Sequence, residues 1–212
     1  MIDSSAKVTA AVSHYDSAPG LFGARYSSGQ FEEIHHNLLR HLPRSGTTVL
    51  DVGAGIGRDA VALATRGYLV TAVEPSLSLQ RWGREHYPQN GVVWVADQLP
   101  RLSSLDALAG SFEFILCSAV LIHLAPDQID DSFRTFARLL TAGGRLGVSV
   151  RDAIATDLPT VFFDHDDATL IAAAKDATLI PIASAPSCDA LGRPDVHWRS
   201  LVFEKAGPPA DI

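Results

Sequence analysis

Apolar residues recur along the chain in two rhythms that take turns. Short apolar runs at Thr48 to Val52, Leu69 to Val73, Val92 to Ala96, Phe112 to Ser118 and Arg145 to Val150 read as five strands. Between them, Arg58 to Arg66, Leu77 to His86 and Asp127 to Leu140 read as helices; in the last, Ile129, Phe133, Phe136, Ala137 and Leu140 fall on one helical face. An earlier helix over Gly29 to Leu42 is expected from the stripe Phe31, Ile34, Leu38 and Leu42, with Pro43 closing it. Alternating strands and helices predict a parallel sheet covered by helices. Thr178 to Ala183 and Val196 to Glu204 flank a turn-rich stretch with Gly192, Pro194 and Asp195, which predicts an antiparallel pair at one end of the sheet. The connection before that pair shows no clear periodicity and reads either as a specificity-shaping segment or simply as loop.

Composition narrows the class. With 47% hydrophobic and 19% charged residues, the 212-residue chain is expected to fold as one compact domain with additions. Acidic residues outnumber basic ones 24 to 17, and no Lys/Arg-rich run appears, so broad attraction to polyanions is not expected. Two cysteines, Cys117 and Cys188, supply neither a disulfide framework nor a four-thiolate zinc site, and a reducing cytoplasm fits them. No basic-then-apolar leader opens the sequence, and the run Phe114 to Ile122 is too short to span a bilayer, so neither export nor a membrane anchor is expected.

The chemistry concentrates at residues 49–60. There an apolar strand carries Asp51 near its end, and Gly53, Ala54, Gly55 and Gly57 then open a helix. Glycines at such a turn let the backbone approach a ligand, and the helix start offers free N–H groups, so a nucleotide-like cofactor is the natural occupant. The dinucleotide fingerprint needs a third glycine where this chain has Arg58, which favours a cofactor without a pyrophosphate. Glu74 ends the second strand 21 residues past Gly53, at a spacing where an acid accepts hydrogen bonds from ribose hydroxyls.

In this turn the sequence resembles the class I S-adenosylmethionine-dependent methyltransferases, and the remaining motifs follow in order. Glu74, with Pro75 beside it, stands at the family's ribose position, and Asp97 with Gln98 stands where the family's acid binds the adenine amino group. Ser118 and the stretch through His123 are similar to the segment beneath the methionine portion. Residues 139–146 are similar to the turn into the fifth strand. The resemblance implies S-adenosylmethionine as cofactor and an α/β, Rossmann-like fold: a seven-stranded, mostly parallel sheet with helices on both faces and an antiparallel C-terminal strand. It also implies a lid over residues 1–28, a methyltransferase domain over 29–206 and a tail over 207–212. Within the lid, Tyr15 and Arg25 are expected to reach the methionine carboxylate, and Phe22 and Tyr26 to line the acceptor pocket with Arg151, Phe163 and His165 from beyond the fifth strand.

Each candidate also has a plain structural reading. A lone histidine in an apolar stretch, such as His123, is more often structural than a catalytic base. His35, His36 and His41 read as a solvated helix face, Cys117 as a small core residue and Trp198 as packing in the terminal hairpin. The residues after the fourth strand, Cys117-Ser118-Ala119-Val120, lack the motif of amino-directed DNA methyltransferases, so DNA is not expected as a partner. A catechol-type metal site would need several clustered carboxylates where only Asp152 is well placed, so no metal is expected. By elimination the expected acceptor is a small molecule presenting O, N or S. A protein- or tRNA-modifying enzyme, or a non-catalytic cofactor-binding protein, is the alternative.

Overall fold

The computed structural model describes residues 4–88, 91–187, 189 and 192–207. Cys188, the first three residues and all of the expected tail after Gly207 lie outside that set. Seven strands form one sheet: β1 (Thr48–Val52), β2 (Leu69–Val73), β3 (Val93–Val95), β4 (Phe112–Ser118), β5 (Leu140–Arg151), β6 (Leu179–Ser187) and β7 (Trp198–Lys205). Their spatial order is β3-β2-β1-β4-β5-β7-β6. β1 to β5 pair in parallel, and β7 runs antiparallel to both β5 and β6, as the terminal hairpin predicts. The order reverses between β1 and β4, the crevice where open α/β sheets bind their ligands.

Strand alternation sends side chains to two apolar layers. On one face, Leu50, Ile115, Cys117, Leu146 and Val148 meet Phe133, Phe136 and Leu139 of α6 (Ile129–Leu139) and Leu170, Ala173 and Ala174 of α7 (Asp167–Asp176). On the other, Val49, Phe114, Leu116 and Val202 meet Phe31 of α3 (Phe31–Ile34) and Ala60 and Leu63 of α4 (Arg58–Thr65). Cys117 is the small core residue expected of it, fully buried.

Three expectations need correction. The helix read over residues 29–42 is only α3 followed by a 3-10 turn at Leu39–His41. The segment His35-His36-Asn37 is poor in helix formers, and His35 is spent elsewhere: it is 1% exposed, with Nε2 bonded to Asp59 at 2.9 Å. It is therefore no part of a solvated face. The connection beyond β5 holds α7, capped by Asp166, whose carboxylate accepts from the Thr169 amide at 2.7 Å. Its buried stripe Leu170, Ala173, Ala174 and Ala177 was present in the sequence but is composed mostly of alanines. Ahead of these, residues 4–28 form two helices, α1 (Ser4–Asp16) and α2 (Pro19–Ser27), lying against α5 (Leu77–His86).

Phe203 of β7 is fully buried and sits edge-on to Phe133 of α6, their ring centres 5.6 Å apart. The ring ties the terminal hairpin to the helical layer. Phe203→Ala is expected to cost about 3–5 kcal/mol of unfolding free energy. Urea denaturation checks this, and a loss under about 1 kcal/mol would mean the hairpin is packed independently of α6.

Candidate functional site

A cavity of about 530 Å³ opens over the carboxyl ends of the strands, roofed by α1 and α2. The turn after β1 forms its floor. At Gly55 (φ +55°) a Cβ would project into open space over the turn, so the glycine keeps room for a ligand against the backbone. Its N–H donates to Glu74 Oε2 at 2.8 Å, and the Ser76 N–H donates to Oε1 at 2.8 Å. Glu74 is 6% exposed, and burial pushes its carboxyl up to about 7 against the pull of those two amides. A carboxylate accepts about four hydrogen bonds, so capacity remains toward the cavity. Asp97 is held similarly, accepting from the Gln98 and Ser104 amides at 2.7 Å each. An open glycine turn, a buried acid beyond β2 and a second acid beyond β3 together fit an adenosyl group.

Beyond β4 and β5 the wall changes character. The His123 Nδ1 lies 2.9 Å from the Val161 carbonyl, which only accepts, so Nδ1 carries the proton and Nε2 accepts from the Tyr15 hydroxyl at 3.0 Å. Burial lowers the His123 pKa to about 4, so the ring is neutral at neutral pH, while burial raises the Tyr15 phenol well above its ordinary value. Tyr15 meets Phe22 edge-on at 4.9 Å, and His123 lies 4.9 Å from Phe162. Arg151, buried at the end of β5, places its guanidinium 4.8 Å from the Phe162 ring centre and forms a two-pronged pair with Asp157 at 2.7 and 2.6 Å.

Most of the expected site residues come together on this lining: Tyr15, Phe22, Arg25, Tyr26, Gly53, Ala54, Gly55, Glu74, Pro75, Asp97, Gln98, Ser118, His123 and Arg151. Four do not. Asp51 is buried beneath the turn, its carboxyl pushed well up by burial, with Asp59 adding to the shift. Gly57 packs instead under Trp94, whose ring would lie 2.5 Å from an added Cβ. Phe163 spends its N–H on the Ile122 carbonyl, and buried His165 bonds the Leu124 carbonyl at 2.9 Å, so both brace the wall from behind. Trp198, expected in the core, lines the cavity, with its indole N–H on Asp189 at 2.9 Å. Asp157, Asp189 and Arg193 also line it and carried no sequence signal, standing in loops without a motif.

Arg58, the departure from the dinucleotide fingerprint, has a structural use. Its Nε and Nη2 bond Asp59 at 2.7 and 2.9 Å, and its Nη1 donates to the Tyr26 carbonyl at 3.1 Å. Asp59, also bonded to His35, is held below the usual carboxylate range by these two partners despite its burial. The glycine turn and the end of α2 are thereby tied together.

Comparison with known proteins finds relatives of the region that holds this site. Residues 49–144 match the family described as a methyltransferase domain. Over 144 residues, 66% of its length, the chain is 32% identical to the biotin biosynthesis bifunctional protein BioHC of Cellvibrio japonicus, spanning 25% of that protein. It is 37% identical over 114 residues, 53% of its length, to the ubiquinone biosynthesis O-methyltransferase of Xylella fastidiosa, spanning 45% of it. The chain thus covers between a quarter and half of these curated relatives. The fold superposes, with TM-score 0.72 and 21% identity over 94% of this chain and 87% of the other, on the Burkholderia thailandensis 1,6-didemethyltoxoflavin-N1-methyltransferase, crystallised with 1,6-didemethyltoxoflavin and S-adenosylhomocysteine. Residues 49–144, the span that holds the glycine turn and its two strand-end acids, thus match a methyltransferase domain, and the fold is that of the S-adenosylhomocysteine-bound structure.

The Glu74 carboxyl titrates at about 7 in the fold against an ordinary 4.5. The folded protein therefore holds the extra proton between those values. The stability this group contributes is fully present below its unfolded pKa and is lost as pH rises through 7. Glu74→Gln removes the dependence. Relative to the parent, the ligand-free variant is expected to gain about 3 kcal/mol of stability between about pH 4.5 and pH 8. Urea unfolding of both proteins across that range checks this; parallel pH curves would contradict the burial assigned to Glu74.

Proposed function

We propose that the protein transfers the methyl group of S-adenosylmethionine to O, N or S of a small-molecule acceptor. The observation that carries this reading is the Glu74 carboxylate, bonded to the Gly55 amide beneath an open cavity. When bound there, the cofactor supplies a methyl group already activated on a sulfonium. Glu74 accepts from the ribose hydroxyls, Asp97 from the adenine amino group, and Arg25, exposed at the rim with no ion pair among the described residues, pairs with the methionine carboxylate. The acceptor's lone pair forms the new bond to the methyl carbon while the carbon–sulfur bond breaks and its electrons stay on sulfur. The acceptor's proton leaves to the Tyr15–His123 pair or to water. His123 is uncharged at neutral pH and so is ready to take it, but as a weak base, and alignment and water exclusion carry most of the rate. A cavity roofed by helices supports a small acceptor over a polymer.

In thermal-shift assays S-adenosylhomocysteine is expected to raise Tm, and NAD at equal concentration is not. Glu74→Ala is expected to weaken S-adenosylmethionine binding by roughly 1.5–3 kcal/mol; unchanged affinity in calorimetric titration would sink the assignment.

The roof reads as a lid. On binding S-adenosylhomocysteine, amide exchange across residues 14–28 is expected to slow. A profile unchanged there while residues 53–57 gain protection would leave α1 and α2 as fixed walls.

A further inference from the structure

The methyltransferase reading leaves the acceptor unnamed, and the wall beyond β4 and β5 carries its own information. Resting on that reading, we infer that the acceptor is an uncharged, planar aromatic or heteroaromatic molecule.

The first argument is charge. Arg151 is held by Asp157 in a pair whose side chains are 6% and 13% exposed. Arg193 is held by Asp189 at 2.6 and 3.0 Å, and the same carboxylate takes the Trp198 indole N–H. Arg58 is spent on Asp59. The uncharged His123 ring has one nitrogen on Val161 and the other on Tyr15. Among the described lining residues, the guanidinium without a carboxylate partner is Arg25, which stands at the rim and is assigned to the cofactor. A charged acceptor would leave water for a wall whose charges are already satisfied, and nothing there would offset its lost hydration.

The second argument is shape. Flat rings make up much of this wall, and such rings bind another flat ring by offset stacking or edge-to-face contact. A ring cluster also attracts cations when several faces converge on one point. Here one such face is already taken, because the Arg151 guanidinium lies over Phe162. A cationic acceptor would also meet that guanidinium. The cavity's 530 Å³ must hold cofactor and acceptor together, which favours a compact ring system.

The test uses one ring skeleton in three charge states on protein saturated with S-adenosylhomocysteine: 2-naphthol, 2-naphthoate and 2-naphthylmethylammonium, titrated by calorimetry at neutral pH. Naphthol is expected to bind at least about tenfold more tightly than either ion. Asp157→Asn frees Arg151 from its charged partner and is expected to raise naphthoate affinity by about tenfold. Phe162→Ala, which leaves the ion pair in place, is expected to weaken naphthol. Equal or tighter binding of either ion by the parent overturns the inference. So does a naphthoate affinity that Asp157→Asn leaves unmoved, because pairing would then not be what excludes anions. If none of the three binds while S-adenosylhomocysteine does, the aromatic acceptor is wrong and the cofactor reading stands. If S-adenosylhomocysteine itself fails to bind, the methyltransferase reading fails first.

Discussion

A buried carboxylate joins two pieces of backbone that would otherwise be independent. Glu74 leaves the end of β2 and accepts from Gly55 in the turn after β1 and from Ser76 at the start of α5. Ser76 caps α5, its hydroxyl accepting from the Leu79 amide at 3.1 Å and donating to Asp16 at the end of α1 at 2.5 Å. One acid thus sets the distance between turn, helix and roof. Its burial carries a desolvation cost, which the amide bonds only partly offset. A residue kept there against that cost is best explained by a ligand that needs a buried acceptor.

The roof is held at separate points of different chemistry. Tyr15 reaches His123, Asp16 reaches Ser76, and the Tyr26 carbonyl reaches Arg58. The first stands on the histidine assigned to the proton, the second on the serine whose amide donates to Glu74, and the third on the helix start that follows the glycine turn. Roof and floor are therefore tied together, because α1 and α2 make hydrogen bonds to residues that shape the floor. Hydrogen bonds of this kind are each worth about 1 kcal/mol net, weak enough singly to open and strong enough together to favour one position.

The far wall is built on a different principle. Its arginines and aspartates neutralise one another inside the protein, which makes the surface polar in composition and nearly neutral in effect. Shape then selects more than charge does, and the discriminating groups are rings and the spacing between them.

Much of the scaffold was legible because its signals are local. Strand runs, the α6 stripe, the glycine turn and the acids at residues 74 and 97 each lie within a few residues of the structure they create, so periodicity and spacing reveal them. Where local signals were weak, as in the alanine-rich α7 or the broken helix after α3, the reading failed. The wall beyond β4 and β5 was legible only in part, since its contacts join distant pieces of chain. Tyr15 and His123 are 108 residues apart, and Trp198 comes level with Arg151 only through antiparallel pairing of β7 on β5. Local pattern was enough to specify the sheet, the turn and the kind of cofactor they suit. Which rings and ion pairs face the cavity was set only by the tertiary structure, because side chains far apart in the chain meet only after the roof and the terminal hairpin have packed.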